Sequence, residues 1–275
     1  MAQKGFEYER NAYQFLLEYG MSGGDGPAGA SHTRPDLEIK LASKADTGTN
    51  RKGCELKLSP TAAGSLVVKY NNGKWKFDAL GDDSDPEKKL LVDLAKQKNI
   101  LREMNTSGTY GEKWRKKVPF LQNNDTGGKI YIGKDKEKAY KKDIAQYGGD
   151  NEIKLPISGK VIADYYISKN CYYINVGTHG FYLLGQSDPL GVNAKVQSLG
   201  GSPIPKFDEK ANARIRVRCQ YKGGGDYQFV MTLDFTSVEK SPYNIAPISS
   251  ATDVSISSAK FNTPANNLLV KAFMK

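Results

Sequence analysis

Three side chains near the start of this 275-residue sequence have the types and spacing to do chemistry. Asp36 follows Pro35, and Glu55 and Lys57 stand two residues apart in Cys54-Glu-Leu-Lys-Leu-Ser59. Carboxylates are the hard oxygen donors that Mg²⁺ prefers. A lysine ammonium beside them can position a nucleophile or neutralise charge that develops on a reacting oxygen. Phosphodiester hydrolysis needs an acidic pocket that holds a cation, a water made acidic by that cation, and a positive group near the developing charge. The three residues supply that set.

Two inferred strands position them. Asp36-Leu-Glu-Ile-Lys-Leu41 has a period of two, which sets Asp36, Glu38 and Lys40 on one face and Leu37, Ile39 and Leu41 on the other, as in a half-buried strand. A polar turn over 43–53 leads to the second strand, with Glu55, Lys57 and Ser59 on one side. Residues i and i+2 of a strand share a face, so Glu55 and Lys57 project together, and a hairpin brings Asp36 beside them. Residues 6–19 read as an amphipathic helix with Phe6, Tyr13, Leu16 and Leu17 at helical spacing and Gly20 at its stop. Glu9 falls on that apolar face and aims a carboxylate inward. A rival register exists: Glu38-Ile39-Lys40, with Asp25 upstream in a glycine-rich loop. His32 and His179 lie in predicted loops, His32 near enough to Asp36 to be a candidate phosphate contact, and no Ser-His-Asp or Cys-His arrangement is present.

Further along, residues 69–77 read as a short strand with a turn at Asn71-Asn-Gly73, and Asp85-Pro86 opens a helix that ends near Asn105. A helix over 161–167 precedes hairpins at 171–176 with 181–185 and at 214–221 with 227–235. Residues beyond Ser237 are rich in Ser, Asn, Pro and Ala and read as a wrapped surface segment or tail.

The chain carries a net charge of +10, and the excess is concentrated. From Lys113 to Lys142 there are ten basic residues against three acidic ones, with Trp114, Tyr131 and Tyr140 among them. Lysines interleaved with aromatics suit a nucleic-acid backbone; a solvated lysine-rich surface is the plainer alternative. The candidate contacts are Lys113, Arg115, Lys116 and Lys117 there, and Arg214, Arg216 and Arg218 in the later hairpin. Those three arginines share a strand face without an acidic partner nearby in sequence, as a phosphate clamp would. A charge-protected edge strand is their alternative.

Cys54, Cys171 and Cys219 are scattered, odd in number and without CxxC spacing, so neither a disulfide framework nor a zinc site is supported. The opening Met1-Ala-Gln-Lys-Gly-Phe-Glu-Tyr-Glu-Arg10 is charged where a signal peptide is apolar, and no apolar run approaches a membrane span. The expectation is a cytoplasmic protein with no membrane partner.

Pro35-Asp36 followed by Glu55-Leu56-Lys57 in the next strand resembles the motif of the PD-(D/E)XK nuclease superfamily. Gly5-Phe-Glu-Tyr-Glu9-Arg10, then a helix and Gly20, is similar to the start of its archaeal-type Holliday junction resolvase branch. The resemblance covers residues 5 to 60. It implies an α/β, restriction-endonuclease-like fold, a central mixed sheet flanked by helices, here with a β-rich C-terminal half. It also implies catalysis by Asp36, Glu55, Lys57 and Glu9, with Asp36, Glu55 and Glu9 on Mg²⁺, for which Mn²⁺ substitutes. Ser31 is a weaker member. The expected organisation is a nuclease core over 1–190 with a basic insertion at about 106–150, a β-rich extension over 191–250 and a C-terminal segment over 251–275. The implied activity is restriction-type hydrolysis of double-stranded DNA by a homodimer. The alternatives are a structure-selective, resolvase-like or phage recombination nuclease, a non-catalytic DNA-binding module with the same fold, and a β-rich interaction protein.

Overall fold

The structure, a computed structural model, describes residues 2–29, 33–71, 74–77, 86–105, 153–223 and 226–275, with 135, 138, 139 and 142 in addition. Its elements in chain order are α1 (Ala2–Glu18), β1 (Ser22–Gly23), β2 (Leu37–Ile39), β3 (Lys52–Lys57), β4 (Ala62–Asn71), β5 (Lys74–Phe77), α2 (Pro86–Gln97) and α3 (Ile100–Asn105). There follow β6 (Ile153–Ser158), α4 (Gly159–Ser168), β7 (Cys171–Val176), β8 (Gly180–Leu183), α5 (Val192–Ser198), α6 (Phe207–Lys210), β9 (Ala211–Gly223), β10 (Asp226–Val238), α7 (Ser258–Phe261) and α8 (Pro264–Met274). Among the described residues the fold is mixed α/β with two five-stranded sheets. It falls into two compact units, Met1–Thr61 with Ile157–Ala213 and Phe235–Lys275, and Ala62–Pro156 with Arg214–Asp234. The boundaries expected at 190 and 250 both fall inside the first unit, because that unit is assembled from three separated stretches of chain.

The sheet of the first unit runs β1-β2-β3-β7-β8. Its pairs are antiparallel except β3 with β7, which are parallel. β3 therefore lies at the centre, and Gly53, Cys54, Glu55 and Leu56 are all buried where alternation suggested a half-solvated strand. Parallel strands are commonly covered on both faces. Gly53, expected in the turn, sits inside β3: a Cβ there would collide with the Asn170 carbonyl and the Pro35 ring, so only glycine lets both neighbouring chains approach.

α1 buries Tyr8, Ala12 and Leu16, one residue per turn, while Phe6 and Leu17 stay exposed. Of the expected stripe of Phe6, Tyr13, Leu16 and Leu17, Leu16 is buried and Tyr13 packs partly on the core, so the buried face is turned away from Phe6 and Leu17. The cause is tertiary: the Tyr8 hydroxyl donates to the Ala246 carbonyl at 2.8 Å and accepts from Asn175 Nδ2 at 3.1 Å, which fixes the helix by its tyrosine. Asn175 Oδ1 in turn accepts from Ile245 N. The C-terminal stretch is no surface tail. Tyr243, Ile245, Ala246 and Ile248 enter the core, and α8, capped by Thr263 with Pro264 in its first turn, adds Leu269, Ala272 and Phe273. Each large side chain so buried contributes about 1.5–3 kcal/mol.

The sheet of the second unit runs β5-β4-β10-β9-β6. The segment expected as a short strand over 69–77 comprises the end of β4 and β5, which pair antiparallel. α2 packs on β4 and α3 on β5, with Leu91, Leu94, Ala95, Ile100 and Met104 buried. At the β5 edge the Asn105 amide bonds both backbone groups of Trp75, at 2.7 and 3.0 Å, and so closes that edge as another strand would. The candidate contacts Lys113, Arg115, Lys116 and Lys117, the strand expected over 129–133, Ser31 and His32 lie outside the described residues.

Candidate active site

Strand register brings the first two carboxylates together. β2 pairs with β3 as Leu37↔Cys54, Glu38↔Gly53 and Ile39↔Lys52, so the next position sets Asp36 across from Glu55. Asp36, just before β2, turns its carboxylate into the sheet: Oδ2 accepts from Leu56 N at 3.0 Å and from Lys57 Nζ at 3.2 Å. Glu55 Oε1 accepts from the same Lys57 ammonium. Asp36 and Glu55 are 4% and 1% exposed. α1 turns Glu9 inward, 8% exposed, with its Oε2 buried and without a hydrogen-bond partner. All four residues anticipated from sequence gather in the first unit.

No local pattern pointed to a fifth. α4 ends at Lys169, whose N–H bonds the Tyr166 carbonyl, and Asn170 takes a left-handed φ of 62° that turns the chain into β7. Lys169, 6% exposed, donates from Nζ to Glu55 Oε2 at 2.9 Å and lies 4.0 Å from Asp36 Oδ1. The Cys171 thiol also points at Glu55 Oε2, at 3.7 Å. Each oxygen of Asp36 and Glu55 therefore faces an ammonium, in a square of alternating charge. The Tyr166 ring lies 5.5 Å from Lys57 Nζ and 5.8 Å from Lys169 Nζ, a cation–π contact with both.

The electrostatics reflect this division of partners. Burial, and next the charge of Asp36, push the Glu9 carboxyl up to about 8. Burial and then Glu55 raise Asp36 to about 6. Burial acts upward on Glu55 too, but Lys57 and Lys169 outweigh it and hold Glu55 below the ordinary carboxylate value. Burial alone would discharge Lys57, yet Asp36 and Glu55 keep its pKa well above that of a free lysine. The cluster's proton thus belongs on Glu9, the carboxyl with no ammonium of its own.

Among the described residues no three His, Cys, Asp or Glu side chains are gathered tightly enough to hold a metal ion as they stand. Lys57 and Lys169 cover the oxygens that an ion would use. The donor chemistry nevertheless fits a hard divalent cation: two carboxylates side by side and a third, Glu9, with an unpartnered buried oxygen.

The rival register is spent elsewhere. Glu38 pairs with Arg51 at 3.5 Å, and Lys40 donates to the carbonyls of Gly20 and Lys44. His179 bonds Thr178.

In the second unit Arg214, Arg216 and Arg218 alternate with buried Ile215 and Val217, as their spacing implied. They do not lack an acidic partner. Asp234, from the neighbouring β10, lies 3.7 Å from Arg214 Nε and 3.1 Å from Arg216 Nε, an ion pair without hydrogen-bond alignment. The partner is adjacent in the sheet but remote in sequence, so the spacing hid it. Arg218 has no ion pair among the described residues, and three cations against one carboxylate leave the row positive. No helix of the described residues is long and apolar enough to cross a membrane. No protein-family model, no curated protein and no solved structure matches this chain.

Proposed function

We propose that this protein is a Mg²⁺-dependent endodeoxyribonuclease with a restriction-endonuclease-like core, hydrolysing phosphodiester bonds of double-stranded DNA as a homodimer. The observation that carries the reading is the meeting of Asp36, Glu55 and Lys57 from two paired strands, with Glu9 buried on α1 and its carboxyl raised by the charge of Asp36 after burial itself. Buried carboxylates that crowd one another are costly and seldom serve stability alone.

Asp36, Glu55 and Glu9 would hold the cation. Bound there, Mg²⁺ would lower the pKa of a water and neutralise the phosphate. Lys57, fixed by Asp36 and Glu55, presents an ammonium to the attacking water or to the charge forming on the phosphate oxygens. The Glu9 carboxyl, raised by burial and by the charge of Asp36, would give up its proton as positive charge enters the site. Arg214, Arg216 and Arg218 offer guanidinium groups to the DNA backbone, Arg218 foremost because it is free of Asp234.

Incubation of the protein with plasmid and with a synthetic four-way junction, in Mg²⁺ or Mn²⁺ and in chelator, tests the reading. Metal-dependent discrete plasmid fragments are the expected result, and cleavage confined to the junction would transfer the reading to a structure-selective nuclease. The two ammoniums seated on Asp36 and Glu55 favour a second reading, a DNA-binding module without the chemistry. That reading predicts salt-sensitive DNA binding and no cleavage in either metal.

A further inference from the structure

Lys169 carries as much of the cluster's charge balance as Lys57, and the proposed reaction leaves it without a task. Any task it has there rests on the proposed binding of a divalent cation at Asp36, Glu55 and Glu9. The oxygens such an ion needs are shared between two ammoniums, Lys57 on Asp36 Oδ2 and Glu55 Oε1, Lys169 on Glu55 Oε2 and beside Asp36 Oδ1. A buried ammonium that loses its carboxylate must find another anion, since an unpaired buried charge is strongly unfavourable. Lys57 stays near both carboxylates by its place two residues from Glu55 on one strand. Lys169 arrives from another element, the end of α4, and Glu55 and Asp36 are its only carboxylate partners among the described residues. The Tyr166 ring beside it is a neutral face and replaces only part of what a carboxylate supplies. A phosphodiester brought to the site is the missing anion.

We infer that Lys169 couples the two ligands of this site: it holds Glu55 in the free protein, opposes a divalent cation there, and passes to the substrate phosphate when DNA is bound. Cation and DNA then bind cooperatively, each raising the affinity for the other by the same factor. Free protein is kept from filling with metal before a substrate is present. Lys169 acts as a positioning residue toward the carboxylates and contacts the phosphate only in the complex.

The experiment is calorimetric titration of Ca²⁺, an oxygen-seeking ion of the same charge, into wild type, Lys169→Met and Lys169→Arg, with and without a short blunt DNA duplex. Wild type is expected to bind Ca²⁺ at least about tenfold more tightly when the duplex is present. Lys169→Met is expected to bind Ca²⁺ about tenfold more tightly than wild type without DNA, one unit charge having been removed from the competition, and to lose most of the coupling. Lys169→Arg keeps the wild-type pattern. A residue that only supports the fold would leave Ca²⁺ affinity unchanged or weaken it, and thermal scans identify folded variants, with Lys169→Gln replacing Lys169→Met if the latter does not fold. The inference is overturned if the neutral variant binds Ca²⁺ no more tightly than wild type, or retains the coupling. Ca²⁺ binding by wild type without coupling defeats the inference alone; no binding of Ca²⁺, Mg²⁺ or Mn²⁺ by wild type defeats the proposed function with it.

Discussion

The cluster on the first sheet and the arginine row on the second both set acidic against basic side chains on neighbouring strands, but they balance differently. Around Asp36 and Glu55 two acids meet two ammoniums at the sheet centre, and every carboxylate oxygen faces a cation while Glu9 waits without one. On β9 and β10 one carboxylate, Asp234, serves two of three arginines whose side chains retain partial contact with water, 30% for Arg214 and 16% for Arg216. The first arrangement is closed and strained by its own burial. The second is buried at Asp234 as well, but keeps a positive excess. Similar alternation of charge in sequence therefore yields a candidate reaction centre where acids and ammoniums balance, and a candidate anion-binding row where cations outnumber the acid.

Removal of one acid from each place sharpens that contrast. Glu55→Ala leaves two buried ammoniums without their nearest partner and is expected to cost about 3–5 kcal/mol in urea unfolding. Asp234→Ala removes a carboxylate just as buried, but its arginines keep some contact with water and their pairing lacks hydrogen-bond alignment, so it costs less, about 1–3 kcal/mol. Equal losses would erase the difference between the two places.

A pH series probes the lone carboxyl. Folding lifts Glu9 to about 8, so the folded state keeps a proton that the unfolded chain releases above the ordinary glutamate value of about 4.3. Stability must then fall as pH rises through that window. Glu9→Gln, measured in chelator, should match wild type near pH 4 and exceed it by a few degrees in Tm above pH 8. A constant difference across the series would mean that Glu9 is not the proton's seat.

The smallest effect belongs to Arg218→Ala. Its stability is expected to stay within about 0.5 kcal/mol of wild type, while the slope of log DNA affinity against log salt decreases by about one contact. An unchanged slope removes Arg218 from the proposed interface.

Sequence spacing carried the hairpin that joins Asp36 to Glu55 and Lys57, because a two-residue period and a polar turn are local signals. It also assigned Glu9 its inward aim, though by a stripe that is right only in part: the face of α1 is set by Tyr8 reaching Asn175 and Ala246, partners more than 160 residues away. Lys169 was beyond reach for the same reason, since its bond to Glu55 spans 114 residues. The local trace it left, Ser168-Lys-Asn170 between a helix and an apolar strand, marks a helix end and not a charge partner. The C-terminal helix was missed: Thr263-Pro264 and the apolar residues after it carry its start signal, but the Ser- and Asn-rich composition beyond Ser237 suggested a surface segment. Asp234 shows the same limit in the second sheet: pairing between strands decides which charges meet.

Cleavage of supercoiled plasmid by wild type, Lys57→Met and Asp36→Asn, in Mg²⁺ and in chelator, tests the central claim most directly. Wild type should cut only with the metal, and each variant, folded by thermal scan, should be slower by at least about 10²-fold. Undiminished cutting by either folded variant, or no cutting by wild type in Mg²⁺ or Mn²⁺, would contradict it.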